Sequence, residues 1–178
     1  MRESFNKIAT FLSPEKRREQ EIARTEERNK IEAENQKHRD WIEETDAKFV
    51  QLFKEGLFSG SASQVASHYR DTYYKTRDYL TLDAVEKQIR LNEGQDQNAL
   101  IAWMNDVWRQ VRSVDRAFAC KQITAETKAE IEKSIFPLFG TVNIFQIQNL
   151  LKDTYGVESH YRDFGLGYRG GGMGNEAA

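Results

Sequence analysis

Cysteine occurs once in this 178-residue sequence, at position 120, so the chain can form neither an internal disulfide nor a thiolate zinc cluster. A lone cysteine fits a reducing compartment, and the expected location is cytoplasmic. Proline occurs only at Pro14 and Pro137, and five of the eleven glycines are spread over the first 164 residues, which leaves long stretches without a backbone breaker. Histidine is limited to His38, His68 and His160, none at the i, i+4 spacing of a helical metal pair, so no metal ligands and no cofactor are assigned. Long apolar runs are missing as well. Nothing approaches the roughly 18 residues of a membrane span, and the N-terminal residues lack a signal-peptide core. Charge of one sign is also absent: 26 basic residues face 28 acidic ones, without the basic stripe expected of a nucleic-acid binder. Sustained apolar/polar alternation and Asn-Gly or Asp-Gly hairpin signals do not occur, so the fold is read as all-α.

What the sequence has in excess is charge over one stretch. Between positions 14 and 56, 22 of 43 residues are Asp, Glu, Lys or Arg, too many for a helix with an ordinary core face. Ser13-Pro14-Glu15 supplies the cap, the first-turn proline and the early acid of a helix start, and Gly56 marks its end. A continuous helix of about 40 residues would be a rod of roughly 60 Å. Pairs such as Glu26 with Lys30 and Glu44 with Lys48 would support it locally. Its apolar positions are few: Ile22, Ile31, Trp41 and Ile42, then Phe49, Val50, Leu52 and Phe53. Ile31, Ile42 and Phe53 are spaced by eleven, which suits a straight or right-handed seam rather than a heptad. The segment from Phe49 is apolar enough to belong to a core, and Trp41 with Ile42 is expected to mark where the helix leaves it.

The rest of the chain reads as a small helical bundle of about 100 residues. Ser61 with Gln64 resembles a capping box ahead of a helix running to Leu80. Thr81 caps a short helix through Val85, Ile89 and Leu91. Leu100, Met104, Val107, Val111, Val114 and Phe118 follow spacings of 4, 3, 4, 3 and 4, widened by Ile101, Trp103 and Trp108, and predict the central core helix. Cys120 at its end is expected to be a buried, inert thiol. Thr124 caps a helix to Ile135, closed by Pro137 and Gly140, and Val142 to Leu151 forms the last helix, with Gly156 after it. The resulting organisation is a short amphipathic segment (1–13), the long charged helix (14–55, its last part joining the core), the bundle (61–157) and a disordered glycine-rich tail (158–178).

Candidate functional residues are of three kinds. Ser67-His68-Tyr69-Arg70-Asp71 recurs verbatim as Ser159-His160-Tyr161-Arg162-Asp163, and two such sets converging would form a polar pocket for an anionic ligand. Successive residues on a helix diverge by about 100°, so a catalytic pair within one copy is not expected. Ile22, Ile31, Trp41 and Ile42 are candidate partner contacts on the charged helix. Phe5, Ile8 and Leu12, at helical spacing, could dock on a membrane or a partner. The GxGxxG match from Gly165 to Gly170 and the DFG match at Asp163 to Gly165 lack the strand, helix and loop contexts those motifs require, and are set aside.

The expectation is therefore a non-catalytic helical interaction or assembly protein that uses its charged helix as partner surface or spacer, bound to a protein partner or to itself. Two alternatives stand beside it. One is a nucleic-acid accessory using Lys16, Arg17, Arg18 and the Arg169-Gly170-Gly171 tail. The other is a ligand or enzymatic site built from the paired pentamers.

Overall fold

The computed structural model describes residues 14–159. The expectations for Phe5, Ile8 and Leu12, for His160, Tyr161, Arg162 and Asp163, and for the glycine-rich tail fall outside these residues. Among the described residues the fold is all-α apart from one two-residue strand pair. Its elements are α1 (Pro14–Lys54), β1 (Phe58–Ser59), α2 (Ala62–Lys75), α3 (Leu82–Leu91), β2 (Gln95–Asp96), α4 (Gln97–Ala119), α5 (Ala125–Ser134), a 3-10 turn (Phe136–Leu138) and α6 (Ile144–Tyr155). The chain divides into two compact units, residues 1–47 and 48–178, a division that falls inside α1.

In the first unit α1 runs without a break, as its breaker-free sequence requires, and every side chain from Arg18 to Asp40 is exposed. Local contacts accompany the backbone ladder. Gln36 donates to Asp40 (2.6 Å), Arg39 donates to Gln36, and the His38 and Trp41 rings stack 5.9 Å apart.

In the second unit α4 is central, with α2, α5 and α6 packed against it. Its buried stripe is Leu100, Met104, Val107, Val111 and Val114, joined by Trp103 and Ala117. Phe118 departs from the expected stripe and is 41% exposed. Its ring lies under the Lys128 ammonium at 5.2 Å, so a cation covers it instead of the core. Cys120 also departs from expectation. As the C-cap of α4 it is exposed, because the helix ends there and Lys121 turns left-handed (φ 58°).

Local chemistry sets each helix boundary. Asp96 caps α4 by accepting from the Asn98 and Ala99 amides (2.7 and 2.9 Å), Thr81 and Thr124 cap α3 and α5, and Asn143 with Gln146 forms a reciprocal capping box on α6. Gly156, in the left-handed region, closes α6 while the Val157 amide bonds back to Leu151 and its side chain is buried. The expected box at α2 is shared differently. Ser61 Oγ accepts from the Gln64 amide, but the Ser61 amide donates to Gln97 Oε1 (2.6 Å), and Gln97 Nε2 donates to Gln64 (2.8 Å), which joins the starts of α2 and α4.

The helix expected to reach Leu80 stops at Lys75. Arg77 and Asp78 both take left-handed backbone, and Thr76 Oγ1 donates to the Tyr73 carbonyl and accepts from the Leu80 amide, turning Leu80 into the core, where it is fully buried. The parallel pairing Phe58↔Gln95 and Ser59↔Asp96 is too short to leave an alternating pattern in sequence. At the end of α1, Phe49 and Leu52 are fully buried as expected, whereas Val50 and Phe53 are 40% and 41% exposed. Lys48 reaches Glu86 of α3 (2.6 Å) rather than Glu44, and Arg90 bridges Glu55 and Glu86.

Candidate functional site

The pentamer on α2 is fully described, and its side chains separate as helical geometry dictates. Tyr69 is buried, with its ring 5.6 Å from Phe49 and 5.9 Å from Tyr73. His68 is half-buried and its Nε2 lies 3.2 Å from Asn105 Oδ1 on α4. Burial pushes its pKa down, and Lys75 adds to that, while the Asn105 bond and Asp71 oppose it. Arg70 is half-buried and Asp71 is exposed. Further along the same α2–α4 seam, Lys75 and Arg112 each place a cation 5.7 and 5.6 Å from the Trp108 ring. His68 therefore serves α2–α4 packing. Of the second copy only Ser159 is described, and the pocket that both copies would form rests on residues outside the description.

Two open clefts flank α3. One, of about 330 Å³, is lined by Tyr79, Phe136 and Phe139 with Asp78, Asp83, Lys87 and Glu132 at its rim. Burial and a hydrogen bond to Glu132 push the Tyr79 phenol up to about 12, so it stays protonated and donating. The other, of about 370 Å³, is lined by Trp103 together with Leu91 and Phe145, which are each 63% exposed. In the first cleft the bonded pair is the Tyr79 phenol with the Glu132 carboxylate, and burial and that bond hold the phenol protonated. Among the described residues, no three His, Cys, Asp or Glu side chains group closely enough to hold a metal ion, and no helix is long and apolar enough to cross a membrane.

On α1, Ile22 and Ile31 are 59% and 52% exposed, and Trp41 and Ile42 are half-buried. These four do not share one face. Nine residues at about 100° each place Ile22 and Ile31 about 180° apart, so no single helix could grip both. Ile31 and Ile42 do align, and the eleven-residue spacing is the coarse beat of a finer pattern. Ile31, Asn35, His38, Ile42, Thr45, Phe49 and Leu52 follow spacings of 4, 3, 4, 3, 4 and 3, an uninterrupted heptad without a charged residue. Reading apolar residues alone hides it, because Asn35, His38 and Thr45 are polar. Counting uncharged positions in a charge-rich helix is the signal that reveals it. One step further towards the N-terminus the same phase meets Arg28 and Arg24, which end the seam at Ile31.

Comparison with models of known families, with curated proteins and with solved structures finds no match for this chain.

Proposed function

We propose that this chain is a non-catalytic helical interaction or assembly protein that works through α1. One observation carries the reading: from Arg18 to Asp40 a continuous helix presents nothing but exposed side chains. Most helical stability in proteins comes from packing an amphipathic face. A segment of this length that keeps helical sequence without such a face is suited to present a surface or set a distance. The α2–α4 seam supports the same reading from the other side. Its one half-buried histidine is committed to Asn105, and the Tyr79 phenol in the cleft beside α3 is held protonated by burial and its bond to Glu132.

A photo-crosslinking residue placed in the full chain at Ile22, at Ile31, or as a bundle control at Phe145, tests the proposal in cells that produce the protein. Adducts to a polypeptide from the α1 positions are expected. Adducts confined to Phe145 would refute the role of α1. Adducts to nucleic acid that vanish as salt rises would replace it with a phosphate-contacting role.

A further inference from the structure

We infer that the cleft beside the start of α3 binds the guanidinium of an arginine side chain presented by a partner polypeptide. The cleft lies in the second unit, so this site stands independently of the role proposed for α1.

The cleft has two walls. Residues 78–87 form one, from the left-handed turn at Asp78 into α3, and residues 132–139 form the other. Gly140 holds them together, because without a Cβ its backbone approaches the Ala84 carbonyl more closely than a side chain would allow. The site is therefore shaped before a ligand arrives. Its lining is aromatic: Phe136 and Phe139 stack 5.3 Å apart, both buried, and the half-buried Tyr79 ring lies 4.7 Å from Phe136. Three carboxylates, those of Asp78, Asp83 and Glu132, share the cleft with one ammonium, that of Lys87. The cations next to the Tyr79 and Glu132 pair are engaged elsewhere. Arg77 and Lys128 both bridge to Asp115 (3.2 and 2.9 Å), and Lys128 reaches Glu132 at 3.5 Å. The result is an excess of negative charge beside aromatic rings.

The same features select the ligand. Among the described residues no three carboxylates group closely enough to hold a metal ion, so only a larger cation could meet more than one of them. A planar guanidinium stacks on an aromatic ring while its fork of donors reaches carboxylates, which a compact ammonium cannot do together. A free amino acid would bring its own carboxylate towards three others, whereas a side chain within a polypeptide would not. Two partly exposed rings of this bundle already lie under cations of the chain itself, Phe118 under Lys128 and Trp108 under Lys75 and Arg112. Among the described residues no cation lies over Tyr79, and the partner's arginine supplies it.

Titrating the isotopically labelled full-length chain with N-acetyl-arginine methylamide, whose only charge is the guanidinium, tests this through amide chemical shifts at low salt. Saturable shifts at residues 78–87 and 132–140 are expected, with a dissociation constant on the order of 1 mM. The citrulline counterpart, similar in shape but neutral, should bind at least about tenfold more weakly. Asp83→Asn should weaken arginine binding about threefold, and Lys87→Gln should tighten it by about as much, since the two remove opposite charges from the lining. Both residues are exposed, and a gain in affinity cannot come from lost structure. Equal binding of the arginine and citrulline amides would overturn recognition by charge. Shifts that do not saturate, or that lie mainly along the acidic residues of α1, would overturn the site, as would an affinity unchanged or lowered by Lys87→Gln. Free arginine binding more tightly than the amide would overturn the assignment to a polypeptide.

Discussion

Replacing Gly140 by alanine should be the most damaging single-methyl change in the bundle. Gly140 is buried with φ at +80°, and a Cβ there would overlap the Ala84 carbonyl oxygen and lie 2.7 Å from its carbon. Two costs combine. A side chain in left-handed backbone costs about 1–2 kcal/mol. Forcing a methyl group against helix backbone, which cannot rotate aside as a side chain would, costs about 1–3 kcal/mol more. The sum, roughly 2–5 kcal/mol, is a large fraction of the 5–15 kcal/mol typical of a domain. It corresponds to a fall in Tm of about 5–20 °C. Gly156 provides the control. It has a similar φ of +66° but nothing within 4 Å of its would-be Cβ, so Gly156→Ala should incur only the backbone cost. Urea unfolding of both full-length variants, followed by tryptophan fluorescence, measures the difference. Equal losses in the two variants would show that the approach of residue 140 to α3 is not a close contact.

Three further outcomes are expected. His68, whose folded pKa lies below its ordinary 6.5, contributes stability that is present above pH 6.5 and lost as pH falls through 6.5 towards the folded value. The stability advantage of the wild type over His68→Gln should therefore shrink between pH 7.5 and 5.5, and a difference constant over that range would contradict the burial of the neutral ring. Tyr79 carries the opposite sign: its raised pKa favours folding up to the ordinary phenol value near 10, a contribution lost as pH rises through about 12. Tyr79→Phe should remove one phenolate from the absorbance titration near pH 12, and Glu132→Gln should move that phenolate to lower pH. If the step near pH 12 survives in Tyr79→Phe, the Tyr79–Glu132 bond is misassigned. Gln110, 1% exposed on the core side of α4, has no partner for its Nε2. Replacement by the similarly shaped methionine should raise stability by about 1 kcal/mol or more, since an unsatisfied buried donor is removed, and a calorimetric Tm below that of the wild type would refute it.

The long helix was legible because its causes are local: no proline or glycine between Pro14 and Gly56, and charges at helical spacing. The caps at Thr81, Thr124 and Gly156 were legible for the same reason, being contacts between residues two to six apart. The end of α2 was not. Tyr-Lys-Thr-Arg-Asp-Tyr has ordinary helical propensity, and the turn at Arg77 and Asp78 persists because it delivers Leu80 to a core assembled from other helices. Gln97 as the completing partner of the Ser61 cap was likewise invisible, since it lies 36 residues away. On α1 the limit lay in how the residues were weighed. The heptad from Ile31 to Leu52 is present in the sequence, but three of its seven positions are polar and drop out of any count of apolar residues.

The sequence by itself determined that the fold is helical, where most helices begin, and that one of them is too charged for an ordinary core face, because these follow from backbone propensity, capping and periodicity over a few residues. Only the tertiary structure decided which of two similar aromatic positions is covered. Phe49 is fully buried and Phe53 is not; Tyr69 is buried and Tyr74, on another face of the same helix, is 56% exposed. It also decided that His68 is spent on Asn105 and that Cys120 faces solvent. Burial depends on which distant surfaces meet, and that information is distributed over the whole chain rather than written beside the residue concerned.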